Sequence, residues 1–133
     1  LDRRIVKVFL DAHTFLWIDD QPEKLSSTAI AICEDPSNDL LLSVASAWEI
    51  QIKVQIGKLQ LSMSLQDMIA DHQKVSGLQV LPVTLAHVFK LESLSLYHRD
   101  PFDRILVAQA EVEDARILSK DPILSKYTDR VIW

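Results

Sequence analysis

Asp11, Glu49, Asp103 and Asp121 each stand where an apolar or strand-like run gives way to polar chain. They are far apart in sequence, so only a fold can gather them. Four carboxylates on one cleft repel each other strongly unless a divalent cation sits among them. Their oxygens are hard ligands suited to Mg²⁺ or Mn²⁺, and no His-x-x-x-His or cysteine pair offers a zinc alternative. Beside a phosphodiester, such a cation stabilises the charge of the transition state and activates water for in-line attack on phosphorus. The chemistry permitted is phosphodiester hydrolysis, with one metal or two. Each acid alone has a simpler reading, because Asp and Glu commonly flank helix N-termini, where the dipole favours anions. The conjunction carries the hypothesis. Asp100 adds a fifth carboxylate, but its place before Pro101 fits an ordinary turn or cap.

Elements that alternate between strand and helix can deliver these residues to one edge. Ile5 to Leu10 reads as a strand running into Asp11, followed by a short helical or looped Phe15 to Ile18. Ser26 and Ser27 offer an N-cap for a helix over Thr28 to Glu34, and Asp35 to Asn38 makes a turn. Leu40 to Val44 reads as a strand buried on both faces, with Ser46 capping a helix that carries Glu49 in its first turn and ends near Gly57. Ser64 caps a helix over Leu65 to Val75, and Leu78 to Val83 is a strand interrupted by Pro82. Thr84 opens a helix whose Leu85, Val88, Phe89 and Leu91 form an apolar face, and Pro101 favours the start of a helix reaching Glu113. Arg116 to Ser119 and Arg130 to Trp133 complete the strands. Such alternation implies an α/β domain with a largely parallel sheet covered on both faces. In such sheets, residues just beyond the carboxyl ends of strands share the edge where ligand sites form.

Composition bounds the reading. With 133 residues, 48% of them hydrophobic, 2 Gly and 5 Pro, the chain suits one domain over residues 1–133 with a sizeable core. Cys33 is alone, so no intrachain disulfide is available, which fits a reducing cytosol. No apolar run approaches the roughly 20 residues of a membrane span. The expectation is a soluble cytoplasmic protein. A formal net charge of −5 argues against indiscriminate nucleic-acid binding, although Lys53, Lys58, His98, Arg99, Arg104, Lys120 and Lys126 lie near the acids in sequence.

The stretches Val8-Phe9-Leu10-Asp11-Ala12-His13-Thr14, Ser43-Val44-Ala45-Ser46-Ala47-Trp48-Glu49-Ile50, His98-Arg99-Asp100-Pro101-Phe102-Asp103-Arg104 and Ile117-Leu118-Ser119-Lys120-Asp121 occur in an order that resembles a PIN domain of the VapC type. That family supplies the toxin ribonucleases of bacterial type II toxin–antitoxin pairs. The resemblance implies a three-layer α/β/α domain with roughly four to five strands, a Mg²⁺- or Mn²⁺-dependent endoribonuclease acting on RNA, a homodimer, and an antitoxin that inserts a segment into the cleft. It implies metal and catalytic roles for Asp11, Glu49, Asp103 and Asp121. Asp100 belongs to the subgroup pattern HRDPFD, Ser119 stands where a small hydroxyl residue often flanks the last acid, and Arg104 is a further supporting residue.

Other residues have plainer readings. Trp48 is expected in the core, Phe15 and Trp17 in packing or against a partner helix, and His72 and His87 at the surface or its boundary. His13 and His98 lie near the acids, but the mechanism needs no imidazole base. A haloacid-dehalogenase-type phosphatase needs an Asp where His13 stands. A receiver-like signalling domain wants paired acids after its first strand and an acceptor Asp after a middle one, which Leu10-Asp11-Ala12, Val44 and Val83 do not supply. A catalytically idle PIN scaffold is the remaining rival.

Overall fold

The computed structural model describes residues 6–95 and 100–133. Its five strands are β1 (Lys7–Leu10), β2 (Asp39–Ser43), β3 (Gln79–Leu81), β4 (Arg116–Leu118) and β5 (Val131–Ile132). They form one sheet in the order β3-β2-β1-β4-β5, with every neighbouring pair parallel. Parallel neighbours require crossovers, which the helices supply: α1 (Ala12–Asp20), α2 (Ser27–Glu34), α3 (Val44–Gln55), α4 (Leu65–Ser76), α5 (Leu85–Lys90), α6 (Pro101–Glu113) and α7 (Leu124–Tyr127).

Alternation along each strand divides the core. Val8 and Leu10 of β1, Leu40 and Leu42 of β2 and Leu118 of β4 pack with Phe15, Leu16, Ile50 and Met68 from α1, α3 and α4. Phe9, Leu41 and Ile117 point the other way, onto Leu106, Val107 and Ala110 of α6 and Leu124 of α7. The architecture is therefore the expected α/β/α sandwich. Deleting either of the fully buried Phe9 or Phe15 rings to Ala should cost about 3–5 kcal/mol through lost burial and the cavity left behind.

Several expectations need correction. Strand β2 ends at Ser43, not Val44, and Ser43 caps α3 by accepting from the Ala45 amide at 3.1 Å. Ser46 is instead a buried helical residue, and Glu49 falls in the second turn. Trp48 is 63% exposed rather than core, its ring meeting only the edge of Phe102 at the start of α6, 5.4 Å between centroids, among the described aromatic contacts. Helix α5 likewise leaves Leu85, Val88 and Phe89 open to solvent. His72 and His87 are buried, each with a carboxylate: His72 Nε2 lies 2.8 Å from Asp19, and His87 Nε2 lies 2.8 Å from Glu113. His87 Nδ1 also accepts from the Thr84 amide, closing a reciprocal cap that apolar periodicity alone does not signal. Residue Ile5 of the expected first strand lies outside the described residues, as do His98 and Arg99.

A clamp ties α6 to the approach to β5. Glu111 accepts from Thr128 Oγ1 at 2.8 Å and from Arg130 Nε at 3.1 Å, and Arg130 Nη1 donates to Asp114 at 2.8 Å. Asp114 caps α6 with φ 53°, left-handed backbone that Asp tolerates better than most residues. Burial pushes the Cys33 thiol up to about 11, with the Glu34 charge adding to the effect, so it is an unreactive helical packing residue.

Candidate active site

Sheet order makes the site. Strand β1 is central, and the chain leaves it for β2 on one side while β4 returns on the other, opening a crevice beyond the carboxyl ends of β1 and β4. Asp11 follows β1 and caps α1: its Oδ1 accepts from the Thr14 amide at 2.8 Å. Its other oxygen accepts from Ser119 Oγ, just past β4. The fully buried Thr14 hydroxyl donates to the Leu118 carbonyl at 3.0 Å, so the start of α1 is stitched to the end of β4.

Ser119, 1% exposed, joins two acids at once. Besides donating to Asp11, its Oγ accepts from the Asp121 amide at 3.0 Å, while Asp121 Oδ1 accepts from the Ile123 amide at 2.9 Å. Asp100 caps α6, accepting from the Phe102 amide at 2.9 Å and the Asp103 amide at 3.4 Å, with Pro101 in the first turn where its missing N–H costs nothing. Asp103 therefore sits in the first turn of α6. From α3, Glu49 accepts from Lys53 Nζ at 3.2 Å, an i,i+4 pair that the sequence spacing already contains.

A cleft of about 110 Å³ is lined by Asp11, Glu49, Asp100, Asp103 and Asp121, with Lys53 its cation among the described residues. All four proposed acids and the supporting Asp100 thus share one wall of chemistry. Ser119 lies behind it. Arg104 does not line it: the guanidinium turns towards the Leu91 and Leu94 carbonyls, at 3.3 and 3.5 Å. Two positive helix N-termini, of α1 and α6, face these acids and offset part of their repulsion, by about 0.3–1 kcal/mol each.

The lining fits Mg²⁺ or Mn²⁺ in kind, since its donors are several hard oxygens. As placed, however, no three acidic, histidine or cysteine side chains among the described residues stand in ligand geometry. Glu49 is turned to Lys53 and Asp100 to its helix cap. Ligation would need these side chains to rotate inward on a fixed backbone.

The sequence marks Ser46 only as a helix cap and His13 only as a neighbour of the acids without a role, yet both line the cleft, and a second depression of about 380 Å³ beside it has no counterpart in the sequence reading. His13 stands two residues after Asp11, and Ser46 three residues before Glu49. A larger concavity, about 830 Å³ at the C-terminal end of α3 around Val54, Leu59 and Met63, is lined by no acid and shares no residue with this cleft.

The fold and its acid-lined crevice are those of a PIN domain, and the sequence profile of that family matches residues 8–129. The chain belongs to the PIN domain family. Over 117 residues, 86% of each chain, it is 27% identical to Ribonuclease VapC22 of Mycobacterium tuberculosis. It is 40% identical over 57 residues to Ribonuclease VapC16 of the same organism, a match spanning 43% of this chain and 40% of that relative. Among solved structures, VapBC2 from Rickettsia felis bound to a promoter DNA fragment superposes with a TM-score of 0.70 at 12% identity, covering 96% of this chain and 98% of that one. A toxin–antitoxin complex from Klebsiella pneumoniae does so with a TM-score of 0.58 at 12% identity, covering 95% and 96%.

Proposed function

We propose that residues 1–133 form one PIN domain acting as a Mg²⁺- or Mn²⁺-dependent endoribonuclease, the toxin of a type II toxin–antitoxin pair working in the cytoplasm. The observation that carries this reading is the convergence of Asp11, Glu49, Asp103 and Asp121, from four separate elements, on one small cleft. These four would hold the cation, which supplies charge neutralisation and water activation for hydrolysis of RNA phosphodiesters. Ser119 and the Thr14 amide orient Asp11, Ser119 positions the turn bearing Asp121, and Lys53 offers a cation to an incoming phosphate. The ribonuclease names of the two mycobacterial relatives support the activity.

An antitoxin partner is supported by the toxin–antitoxin complexes among the structural neighbours. A basic side chain, typically Arg, suits this acidic cleft and would inhibit by competing for the carboxylates. For the homodimer, the support is an apolar surface on α3 and α5, where Trp48, Leu85 and Phe89 are 63%, 69% and 69% exposed.

The test is cleavage of total cellular RNA with mapped ends, comparing wild type with Asp103→Asn, each with Mn²⁺ and with EDTA. Discrete cuts that need both metal and Asp103 are expected. Asp11→Asn should also abolish cutting while leaving the fold intact, because Asn caps a helix as well as Asp does. Acids that line one cleft without standing in ligand geometry favour one rival, the idle scaffold, and absence of cutting by folded, antitoxin-free protein would select it.

A further inference from the structure

The depression of about 380 Å³ beside the acids is lined by Asp11, His13, Trp17, Lys120, Asp121 and Pro122. It shares Asp11, His13 and Asp121 with the acid cleft, so the two adjoin. Their sizes differ in a telling way. The acid cleft, about 110 Å³, accommodates ions and a phosphate group, whereas its neighbour falls within the roughly 300–1,000 Å³ of small-molecule sites. Their chemistry differs too. Here one wall is aromatic, from α1, and the other is the turn after β4, with Pro122 and an exposed Lys120 that makes no ion pair among the described residues.

We infer that this hollow is a nucleobase subsite, where the base beside the scissile phosphate of single-stranded RNA packs against His13 and Trp17 while Lys120 meets the backbone. The inference rests on the nuclease reading of the acid cleft. A nucleotide whose phosphate lies at the acids must place its base outside that cleft, and this is the adjoining space with both an aromatic wall and a cation. The groove on the other side, between Val44, Trp48, Val83 and Phe102, is lined without a charged residue. The aromatic wall is also held in place. Trp17 meets the His13 ring at 5.8 Å and Trp133 edge-on at 6.1 Å, and Lys24 Nζ lies 5.4 Å from its ring centroid. A pre-set platform loses little freedom when a base stacks on it, and stacking tolerates any base because each has a π face. In a chain of net charge −5, aromatic stacking supplies affinity that phosphate contacts alone cannot.

The test is equilibrium binding by Asp103→Asn protein, which prevents cutting, of two fluorescent probes of equal length. One is a mixed-sequence single-stranded oligoribonucleotide, and the other an abasic ribose-phosphate oligomer. The base-bearing probe should bind roughly five- to a hundredfold tighter, the range of a stacking contact. His13→Ala and Trp17→Ala should each shrink that ratio by weakening the base-bearing probe more than the abasic one, and Trp17→Phe should restore most of it. His13 is exposed, so its variant reports on the subsite even if Trp17→Ala unfolds, which a thermal melt would reveal. Lys120→Ala should weaken both probes and flatten their salt dependence. A ratio that survives both alanine substitutions, in a protein whose wild type cleaves RNA, overturns the subsite alone and leaves the wall to a protein partner. Wild type that neither cleaves RNA nor binds either probe overturns the nuclease reading and the subsite together.

Discussion

Replacing Ser119 with alanine removes one oxygen and tests the whole arrangement of the site. That oxygen donates to the Asp11 carboxylate and accepts from the Asp121 amide, and its residue is 1% exposed, so water does not readily take its place. A hydrogen bond to a charged group contributes about 1.5–3 kcal/mol. The lower end applies, because the Thr14 amide still holds the other Asp11 oxygen at 2.8 Å. Orphaning the Asp121 amide adds about 1 kcal/mol. The variant should thus lose about 2–3 kcal/mol, a fall in Tm of roughly 6–15 °C for a domain of this size. Activity should fall about 10- to 100-fold, as when groups that orient metal-binding side chains are removed, together with weaker Mn²⁺ binding. Calorimetry, Mn²⁺ titration and kcat/KM on a mapped RNA cut read the three effects separately. A melt within about 2 °C of wild type and cleavage within about twofold would refute the role given to Ser119.

If the proposed homodimer forms through this apolar surface, Trp48→Glu combined with Phe89→Glu should leave a monomer, weakening association at least about 100-fold since buried aromatic anchors each contribute about 2 kcal/mol or more. Sedimentation velocity reads this directly, and an undisturbed dimer would place the interface elsewhere. The clamp at Glu111 predicts a pH dependence. Burial alone would raise its carboxyl, but hydrogen bonds from Thr128 and Arg130, helped by the Arg130 and Lys90 charges, hold it below its ordinary value of 4.5. A carboxylate depressed on folding adds stability that is full above the unfolded value and is lost as pH falls through the folded one. Urea melts should therefore show Glu111→Gln costing up to about 1 kcal/mol at neutral pH, the pair being about a quarter exposed, and progressively less below pH 4.5. A cost unchanged at acid pH would count against the ionised clamp.

Much of this was legible because local chemistry and tertiary structure agree. The Ser26, Ser64 and Asp100 caps, Pro101 in the first turn of α6 and the apolar strands each announce an element, and the alternation of elements fixes where strand ends lie. What failed to read involved choices between equivalent local solutions. Ser43 and Ser46 are both plausible caps, and only the register of β2 with β1 and β3, ending at Ser43, selects the first. Trp48 and Phe89 look like core because hydrophobicity does not reveal which face lacks a covering layer. His87 reads as polar surface until its capping partner and Glu113, 26 residues away, are brought beside it. The positions of the acids were therefore inferable, but the orientations of their side chains were not.

Pairing of β1 with β4 also sets an order in time. Phe9 lies beside Ile117 and Leu10 beside Leu118, whereas β2 pairs with both β1 and β3 within the first 81 residues. A chain growing from its N-terminus can thus assemble half of the sheet early, at low entropic cost, and still lack the crevice. Asp11 waits in a half-built molecule for Ser119 and Asp121, more than a hundred residues downstream. Under the proposed reading, neither a nascent chain nor a fragment clipped before β4 carries a complete set of acids, so harmfulness arrives only with closure of the fold.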